Sequence, residues 1–365
     1  MAKYRFGDIV REVKDKVDRD NNPYEYYIAG DHMDTDELHL LRRGAFAGSD
    51  VGPAFIRIFK PGQVLYGSRR TYLRKVAVAD FEGVTANTTF VLESKDETIL
   101  LQSLLPFIMQ ADRFVQHSIK RSKGSTNPYV LFSDLADYEV NLPSIEEQRK
   151  LSDLLWAIDG VKMSYKKLIS ATDDLVKSQF IEMFGDSEKV PLDALATIIM
   201  GQSPTSDSYN TDGKGVPFYQ GSGEFTDKYV GDGMFCTSPT RMAKAGDVLM
   251  SVRAPVGAVN ITLKECCIGR GLAAIRSKVA AKYNEYFLYA FRAMGEELNS
   301  MGHGSTVSAI NKNELHGLMM PNASLQEQMS FVSFAQQSDK SKFELEQALS
   351  ELTATYKRII SDNLG

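Results

Sequence analysis

The feature that most constrains the fold of this sequence is an internal repeat of about 180 residues. The segment LPSIEEQ in the middle of the chain and the segment MPNASLQEQ near its end place Glu147 opposite Glu327, a shift of 180 residues. Three further blocks match in the same order: GST at Gly124 with GST at Gly304, PGQVLYGSRR at Pro61 with AGDVLMSVRA at Ala245, and YYIAGDH at Tyr26 with PFYQGSG at Pro217. A unit of this length exceeds any solenoid repeat, so the sequence predicts a duplicated domain.

The length and composition of the chain agree with two folded domains. It has 365 residues, of which 43% are hydrophobic, enough to form two separate cores. Within the repeat, the runs GQVLYGS and GDVLMSV are short and apolar, and we expect them to be buried strands that end in loops. The uncharged stretch Thr98 to Ala111 is too short to span a bilayer and is expected to be a buried helix.

Each repeat ends in a long segment that begins with a helix-capping pattern. Ser144 with Glu147, and Ser324 with Glu327, have the S-x-x-E spacing in which the two side chains satisfy each other's backbone amides. After the cap, apolar residues step by three and four, and a mean period of 3.5 predicts that the two helices wrap as a left-handed coiled coil. The first helix is expected to end at Gly185, and each helix to contain about forty residues, roughly 60 Å.

The predicted coiled-coil seam consists of the residues at these steps. They are Leu151, Leu154, Ile158, Val161, Tyr165, Leu168, Thr172 and Leu175 in the first helix, and Phe331, Phe334, Ser338, Ser341, Leu345, Ala348, Leu352, Thr355 and Ile359 in the second. Polar Ser338 and Ser341 stand where the first helix has Ile158 and Val161, so the second seam is expected to be locally loose. The alternative is that the two helices pack separately on the surfaces of their own domains.

Two variable mixed domains, each followed by a long helix that opens with such a P…EQ segment, resemble the specificity subunit of type I restriction-modification systems. The runs VLMSVRAPVGAVNI and VPFYQGSG add to this resemblance, which covers essentially the whole chain. It implies two target-recognition domains, each reading one half of an interrupted double-stranded DNA sequence, held apart by two antiparallel helices. It also implies that the helices dock two adenine-methyltransferase subunits, which restriction (motor-nuclease) subunits join.

The expected fold class is therefore α+β: two similar mixed α/β target-recognition domains joined by two long antiparallel helices in a coiled coil, with an internal pseudo-twofold repeat. The predicted boundaries are 1–142 for the first recognition domain, 143–186 for the central helix, 187–320 for the second recognition domain and 321–365 for the C-terminal helix. The resemblance implies no cofactor in this chain, and places S-adenosylmethionine, ATP and Mg on the partner subunits.

Local basic clusters supply the candidate DNA contacts, because the chain as a whole carries a net charge of −5 and has a pI of about 5.7. In the first domain they are Arg69, Arg70, Tyr72, Arg74 and Lys75, a run free of acids, and Lys120, Arg121 and Lys123, with Arg113 and His117 nearby. In the second domain they are Tyr219, Gln220 and Ser222 on a glycine turn, with Arg241, Lys244, Arg253 and Arg270. Such groups suit phosphate neutralisation and base-edge hydrogen bonds. For each residue the alternative is a solvated surface side chain.

Catalytic and metal-binding patterns are weak in this sequence. The segments NPYE at Asn22 and NPYV at Asn127 resemble the Asn-Pro-Pro-aromatic loop of adenine methyltransferases, but both lack the second proline. The five histidines show no metal-ligand spacing, and no phosphate-binding lysine loop is present. The sequence therefore predicts a chain that performs no chemistry itself and has no metal site.

The cellular environment and the alternative function follow from the remaining features. Three cysteines without paired spacing, expected to be small buried apolar residues, together with a charged N-terminal segment predict a cytoplasmic protein with no membrane contact. A coiled-coil scaffold that bridges two copies of a protein partner without touching DNA is the alternative function, and the acidic pI favours it.

Overall fold

The computed structural model describes residues 2–19, 21–301 and 309–364. It divides into two compact units, one formed by Met1–Tyr165 with Ala348–Gly365 and the other by Lys166–Gln347. Each unit contains one mixed domain and parts of two long helices.

The elements up to the end of the first long helix are β1 (Ala2–Arg5), α1 (Phe6–Ile9), β2 (Val10–Val13), β3 (Tyr26–Ile28), β4 (Gly44–Ala45), β5 (Phe55–Phe59), β6 (Val64–Gly67), β7 (Val76–Val78), β8 (Gly83–Ala86), β9 (Thr89–Ser94), α2 (Leu105–Gln110), α3 (Asp112–Arg121), α4 (Phe132–Ala136), β10 (Glu139–Leu142) and α5 (Ile145–Phe184). The elements that follow are β11 (Lys189–Pro191), α6 (Leu192–Leu195), β12 (Ala196–Met200), β13 (Tyr209–Asn210), β14 (Val216–Tyr219), β15 (Met234–Cys236), β16 (Met242–Ala243), β17 (Val248–Ser251), β18 (Val259–Ile261), β19 (Cys266–Ile268), β20 (Leu272–Ser277), α7 (Asn284–Ala293), α8 (Gly295–Met301), α9 (Lys312–His316), β21 (Met319–Pro321) and α10 (Leu325–Leu364).

The first unit is built on two four-stranded sheets. One has the order β2-β9-β6-β7 and is antiparallel, and the other has the order β4-β3-β8-β5 with β3 and β8 parallel. Strand β6 is buried on both faces, because Val64 and Tyr66 join the core beneath the helices while Leu65 joins a smaller core with Ile28 and Phe59. A strand covered on both faces needs a continuous apolar run, which explains the sequence VLYG.

The second unit repeats this topology in the same chain order. Its antiparallel sheet has the order β12-β20-β17-β18, and its other sheet contains β14 and β19 as a parallel pair. Val248 and Met250 of β17 join the large core while Leu249 joins the smaller one. The predicted duplication and the predicted strands are confirmed, and the three cysteines, all in the second unit, are buried and free as expected.

The caps and ends of the long helices agree with the sequence prediction. The amide of Ser144 donates to the Glu147 carboxylate at 2.9 Å, and the amide of Ser324 donates to the Glu327 carboxylate at 2.8 Å. Helices α5 and α10 each contain 40 residues, and α5 ends at the residue before Gly185.

The two long helices run antiparallel. In the first unit, Leu155 near the start of α5 shares a core with Tyr356 and Ile360 near the end of α10. In the second unit, Phe180 near the end of α5 packs against Phe331 near the start of α10, with ring centroids 5.5 Å apart. Both helix segments in each unit also contact the mixed domain of that unit.

The predicted seam of α5 requires a correction. In the first unit, Leu154 and Val161 are 48% and 45% exposed, and in the second unit Leu168 and Leu175 are 50% and 51% exposed. In the first unit, three buried residues each lie one position after a predicted seam residue: Leu155 after Leu154, Asp159 after Ile158 and Lys162 after Val161. Side chains with partners fill several of these positions: Asp159 pairs with His39, and Ser152 donates to Ser103 at 2.8 Å. The spacing of apolar residues does not reveal this helix face, because part of it consists of buried polar residues with hydrogen-bond or ion-pair partners.

Other seam positions lie inside or at the edge of the helix packing. Leu151, Phe331 and Ser338 are buried, and the half-buried positions are Ile158, Tyr165, Phe334, Leu345, Leu352 and Ile359. Among the described residues, the model contains no helix of the length and apolarity needed to cross a membrane.

Candidate nucleic-acid interface

The fold brings the two basic runs of the first domain together. The hairpin turn after α3 is closed by two backbone bonds between Lys123 and Tyr129, at 2.8 and 2.9 Å. The same turn pairs with the loop after β6, where the amide of Arg70 donates to the Pro128 carbonyl at 2.7 Å and Arg69 forms a β-bridge with Tyr129. The turn between β8 and β9 joins them, because the amide of Ser68 donates to the Thr88 carbonyl at 3.0 Å. These segments, distant in sequence, therefore form one surface, which we call the first loop surface (68–75, 87–88 and 120–130).

Several predicted residues on the first loop surface are exposed. Arg69, Arg70 and Lys120 are exposed, Tyr72 is 53% exposed, and the described part of the chain provides no side-chain partner for these three cations. Arg70 has φ of +50°, in the left-handed region that costs a non-glycine residue roughly 1 kcal/mol or more. Exposed cations beside an aromatic ring are suited to a polyanion.

Other predicted residues of this surface are held by acids from distant parts of the chain. The Arg74 guanidinium pairs with Asp36 at 2.5 Å and Asp112 at 2.8 Å, and it also donates to the Gln110 carbonyl at 2.7 Å. Burial acts to lower the pKa of Arg74, but these two ion pairs outweigh it and raise the pKa. The run from Arg69 to Lys75 contains no acidic residue, but acidic residues from elsewhere in the chain contact it. Arg74 therefore stabilises the fold of the first domain.

The remaining cations are also partly engaged. Lys123 pairs with Asp134 at 2.8 Å, Lys75 donates to the Gly30 carbonyl, and Arg121 lies 3.6 Å from Asp137. Burial opposes the ionisation of Asp134, yet its bonds from Lys123 and the Leu131 amide lower its pKa. The Arg121 pair is exposed, so it is worth little and leaves that cation available.

In the second domain, three predicted residues lie close together at the turn 269–271 between β19 and β20, which we call the glycine turn. The amide of Gly271 donates to the Gln220 carbonyl at 3.1 Å, and the Gly271 carbonyl accepts from the Val252 amide at 2.9 Å. A Cβ on Gly271 would lie 2.3 Å from the Gln220 carbonyl oxygen, so this close approach requires glycine. Gln220, Arg253 and Arg270 are exposed around the turn, and they form the second loop surface.

The second loop surface has the same position in its domain as the first. Arg253 forms a β-bridge with Ala309, just as Arg69 does with Tyr129, and both arginines follow equivalent strands. Arg241 and Lys244 flank β16 and are exposed, and Ser222 is half-buried. The matching GST block at Gly304 lies outside the described residues.

The prediction for Tyr219 is wrong. Its side chain is 7% exposed, packs in a core with Leu249 and Ile268, and donates its hydroxyl to the Gly231 carbonyl at 3.1 Å. Burial raises the pKa of this hydroxyl. Only the backbone of Tyr219 bonds to the glycine turn, because its carbonyl accepts from the Gly269 amide at 2.7 Å. Its neighbour Gln220 is the exposed residue.

The structure also identifies two exposed residues that the sequence reasoning did not select. Tyr129 is 40% exposed on the first loop surface. Asn87 is exposed in the turn between β8 and β9, which corresponds to the glycine turn of the second domain. The alignment of TANTT with IGRGL places Asn87 opposite Arg270, and Tyr129 lies in the NPYV segment.

Three potential metal ligands come together in the described part of the first unit, although histidine spacing predicted none. They are Glu37, His39 and Asp159, whose ligand atoms lie within 4.8 Å of one another. The Nζ atom of Lys162 is 3.4 Å from Asp159 and brings positive charge to the same group. The cluster is therefore an ion-pair network.

Fold and surfaces together define a class: duplicated α+β proteins in which each domain presents an equivalent loop surface and packs on a long helix. The chain belongs to the type I restriction modification DNA specificity domain family, whose model matches residues 9–171 and 185–353.

Individual relatives agree with this family assignment. A protein of Methanocaldococcus jannaschii described as a type I restriction enzyme MjaX specificity subunit is 32% identical over 257 residues, which span 65% of this chain and 60% of that protein. The HindI specificity subunit of Haemophilus influenzae is 23% identical over 199 residues, which span 53% of this chain and 42% of that protein. The matches thus span less than two thirds of either relative.

A solved structure shares the fold over nearly the whole chain. It comes from work on complex assembly and conformational transition of the type I R-M system, and it aligns with a TM-score of 0.67 and 26% identity over 99% of this chain and 97% of that one.

Proposed function

We propose that the chain is the DNA-recognition subunit of a type I restriction-modification complex and that each domain reads one half of an interrupted duplex sequence. The observation that carries this proposal is the pair of equivalent loop surfaces, which follow matching strands but differ in their side chains. Arg69 and Arg70 in one domain stand where Arg253 and Ala254 stand in the other. A duplicated protein with two different surfaces is suited to an asymmetric site, which an identical homodimer is not.

The exposed side chains divide into two chemical roles. On the first loop surface, Arg69, Arg70 and Lys120 would neutralise phosphates, while Asn87 offers an amide that can pair with adenine. The second loop surface has fewer cations, Arg253 and Arg270, beside the exposed Gln220. Arginine and glutamine are suited to guanine and adenine edges in the major groove. The first domain would therefore contribute more of the salt-dependent affinity.

The exposed apolar residues of α5 support a role in assembly. In the first unit Leu154 and Val161 lie seven residues apart and are exposed, and in the second unit Leu168 and Leu175 lie seven residues apart and are exposed. Exposed apolar rows along a helix mark interaction sites. The occupant that we propose is a methyltransferase subunit. S-adenosylmethionine, and the ATP and Mg of a restriction subunit, would then belong to the partners.

A salt titration of duplex binding tests the proposed function. The chain, purified with its methyltransferase subunit, should bind a cognate duplex with an affinity that falls steeply as salt rises, because cations displace counterions from phosphates. Arg69→Ala with Arg70→Ala should weaken binding and reduce the slope of log affinity against log salt by about one per lost phosphate contact.

The control removes the same charge elsewhere. Lys3→Ala with Arg5→Ala on β1 should leave the slope unchanged. A scaffold that never contacts DNA would show no cognate binding at any salt concentration, and equal slopes for both double variants would exclude the first loop surface from the interface.

A further inference from the structure

The 180-residue repeat places an aspartate and a lysine at equivalent positions on the two long helices. Asp159 and Lys162 of α5 correspond to Asp339 and Lys342 of α10, at the same shift that aligns the two capping boxes. Each faces a short segment of the mixed domain in its own unit, and the two segments occupy equivalent places in their sheets.

In the first unit, the segment reaches the helix through a histidine. The Nε2 atom of His39 lies 2.8 Å from Oδ2 of Asp159, which is 3% exposed as a residue. The segment is joined to the edge of the sheet, because the Val78 amide of β7 donates to the Leu38 carbonyl at 2.8 Å. His39 therefore links the edge strand of the domain to the helix.

In the second unit, a lysine makes the corresponding link. Nζ of Lys228 lies 3.5 Å from Oδ2 of Asp339 and 3.3 Å from Glu285, and it donates to the Tyr289 hydroxyl at 2.8 Å. The Tyr289 hydroxyl in turn donates to Asp339. The Ile261 amide of β18 donates to the Lys228 carbonyl at 3.0 Å.

The two edge strands are equivalent by register. Val78 pairs with Val64 on β6, and Ile261 pairs with Val248 on β17. Val64 and Val248 are matched positions of the repeat. The two amides that bind the anchored segments therefore occupy the same place in both domains.

The charges around His39 favour its protonated form. Asp159 and Lys162 face it from α5, Glu37 lies on its own segment, and Asp80 follows β7. From α10, the Tyr356 ring lies 4.1 Å from Nζ of Lys162. Three carboxylates and one lysine leave two negative charges, one of which the imidazolium balances, and the hydrogen bond to Asp159 raises the pKa of His39.

We propose that Asp159 and Asp339 are equivalent positioning residues that fasten each domain to its helix, the first through a histidine that loosens as pH rises and the second through a lysine that does not. A group whose pKa is raised by folding stabilises the fold fully below its unfolded pKa, about 6.5 for histidine, and loses this contribution as pH rises through the raised value. A free lysine side chain ionises far above this pH range, at a reference pKa of about 10.4.

Hydrogen exchange of the full chain tests the two anchors independently of DNA. After correction for the intrinsic rate, protection of the Val78 amide should fall between pH 6 and pH 8, because the imidazolium that holds the segment is lost in this range. Protection of the Ile261 amide should not change. His39→Lys should abolish the response at Val78, and Lys228→His should create one at Ile261.

Controls separate the anchor from a general loss of structure. His117→Gln removes another half-buried histidine of the same unit, bonded to the Asp134 carbonyl at 2.9 Å, and should leave the response at Val78 unchanged. An equal response at Val78 and Ile261 in the native chain would overturn the proposal, as would a response that survives His39→Lys. Should the variants not fold, a His39 imidazole that titrates at or below pH 6.5 in the NMR spectrum of the native chain would overturn it too.

Discussion

At the residue scale, the Glu-Gln pair that reveals the repeat performs two separate tasks. Glu147 caps the helix, while Gln148 is buried and points into the domain. Nε2 of Gln148 donates to the Ile99 carbonyl at 2.8 Å, and Oε1 of Gln148 accepts from the Leu101 backbone amide at 3.1 Å. In the first unit, this motif therefore joins the long helix to its own domain.

Removal of this glutamine should destabilise the first unit. Gln148→Ala would leave the buried Leu101 amide and the half-buried Ile99 carbonyl without this partner, which costs about 1–3 kcal/mol. Urea unfolding followed by circular dichroism measures this loss. The exposed neighbour Glu146 makes only a surface pair with Lys150, so Glu146→Ala should cost about 0.5 kcal/mol or less. Equal unfolding midpoints for the two variants would contradict the role of Gln148.

Substitution of Arg74 should lower stability, whereas substitution of Arg70, four residues earlier, should weaken DNA binding. Arg74→Ala breaks the pairs with Asp36 and Asp112 and should lower the free energy of unfolding by about 1–3 kcal/mol. Arg70→Ala should leave stability within about 0.5 kcal/mol of the native value and weaken duplex binding. Thermal unfolding and binding measured on the same preparations distinguish them, and a stable Arg74→Ala variant with weakened binding would show that the assignment is reversed.

At the element scale, local signals allowed the sequence to predict the strands, the caps and the ends of the helices. The apolar runs of β6 and β17 and the S-x-x-E boxes each depend on neighbours in the chain, so they are visible without tertiary structure. The seam of α5 and the state of Arg74 depend on distant partners such as His39 and Asp112. No spacing in the sequence brings these partners together, which is why those predictions required correction.

The exposed and buried faces of α5 should separate assembly from stability. Leu154→Glu with Leu168→Glu changes exposed positions and should leave the unfolding midpoint nearly unchanged while abolishing co-purification with the methyltransferase subunit. Leu155→Ala, at a buried position beside Leu154, should cost about 2–5 kcal/mol. Intact co-purification of the double variant would exclude this face as the docking site.

At the scale of the whole molecule, duplication gives one chain two mixed domains that can diverge independently. The antiparallel sheet, the parallel strand pair and the helix cap recur in both units, while the exposed loop residues differ. The shared elements account for the common fold, and the differing loops would account for an asymmetric target. A scaffold without DNA contact would not explain why two equivalent loop surfaces carry different exposed side chains.

The most direct measurement is selection of bound duplexes from a randomised library before and after exchange of one domain. The chain with its methyltransferase subunit should select two defined sequence elements separated by an unspecified gap. Exchange of residues 190–318 for those of another family member should replace one element and preserve the other, and exchange of residues 1–142 should do the reverse. Simultaneous change of both elements after either exchange, or selection of no sequence by the native complex, would contradict the account.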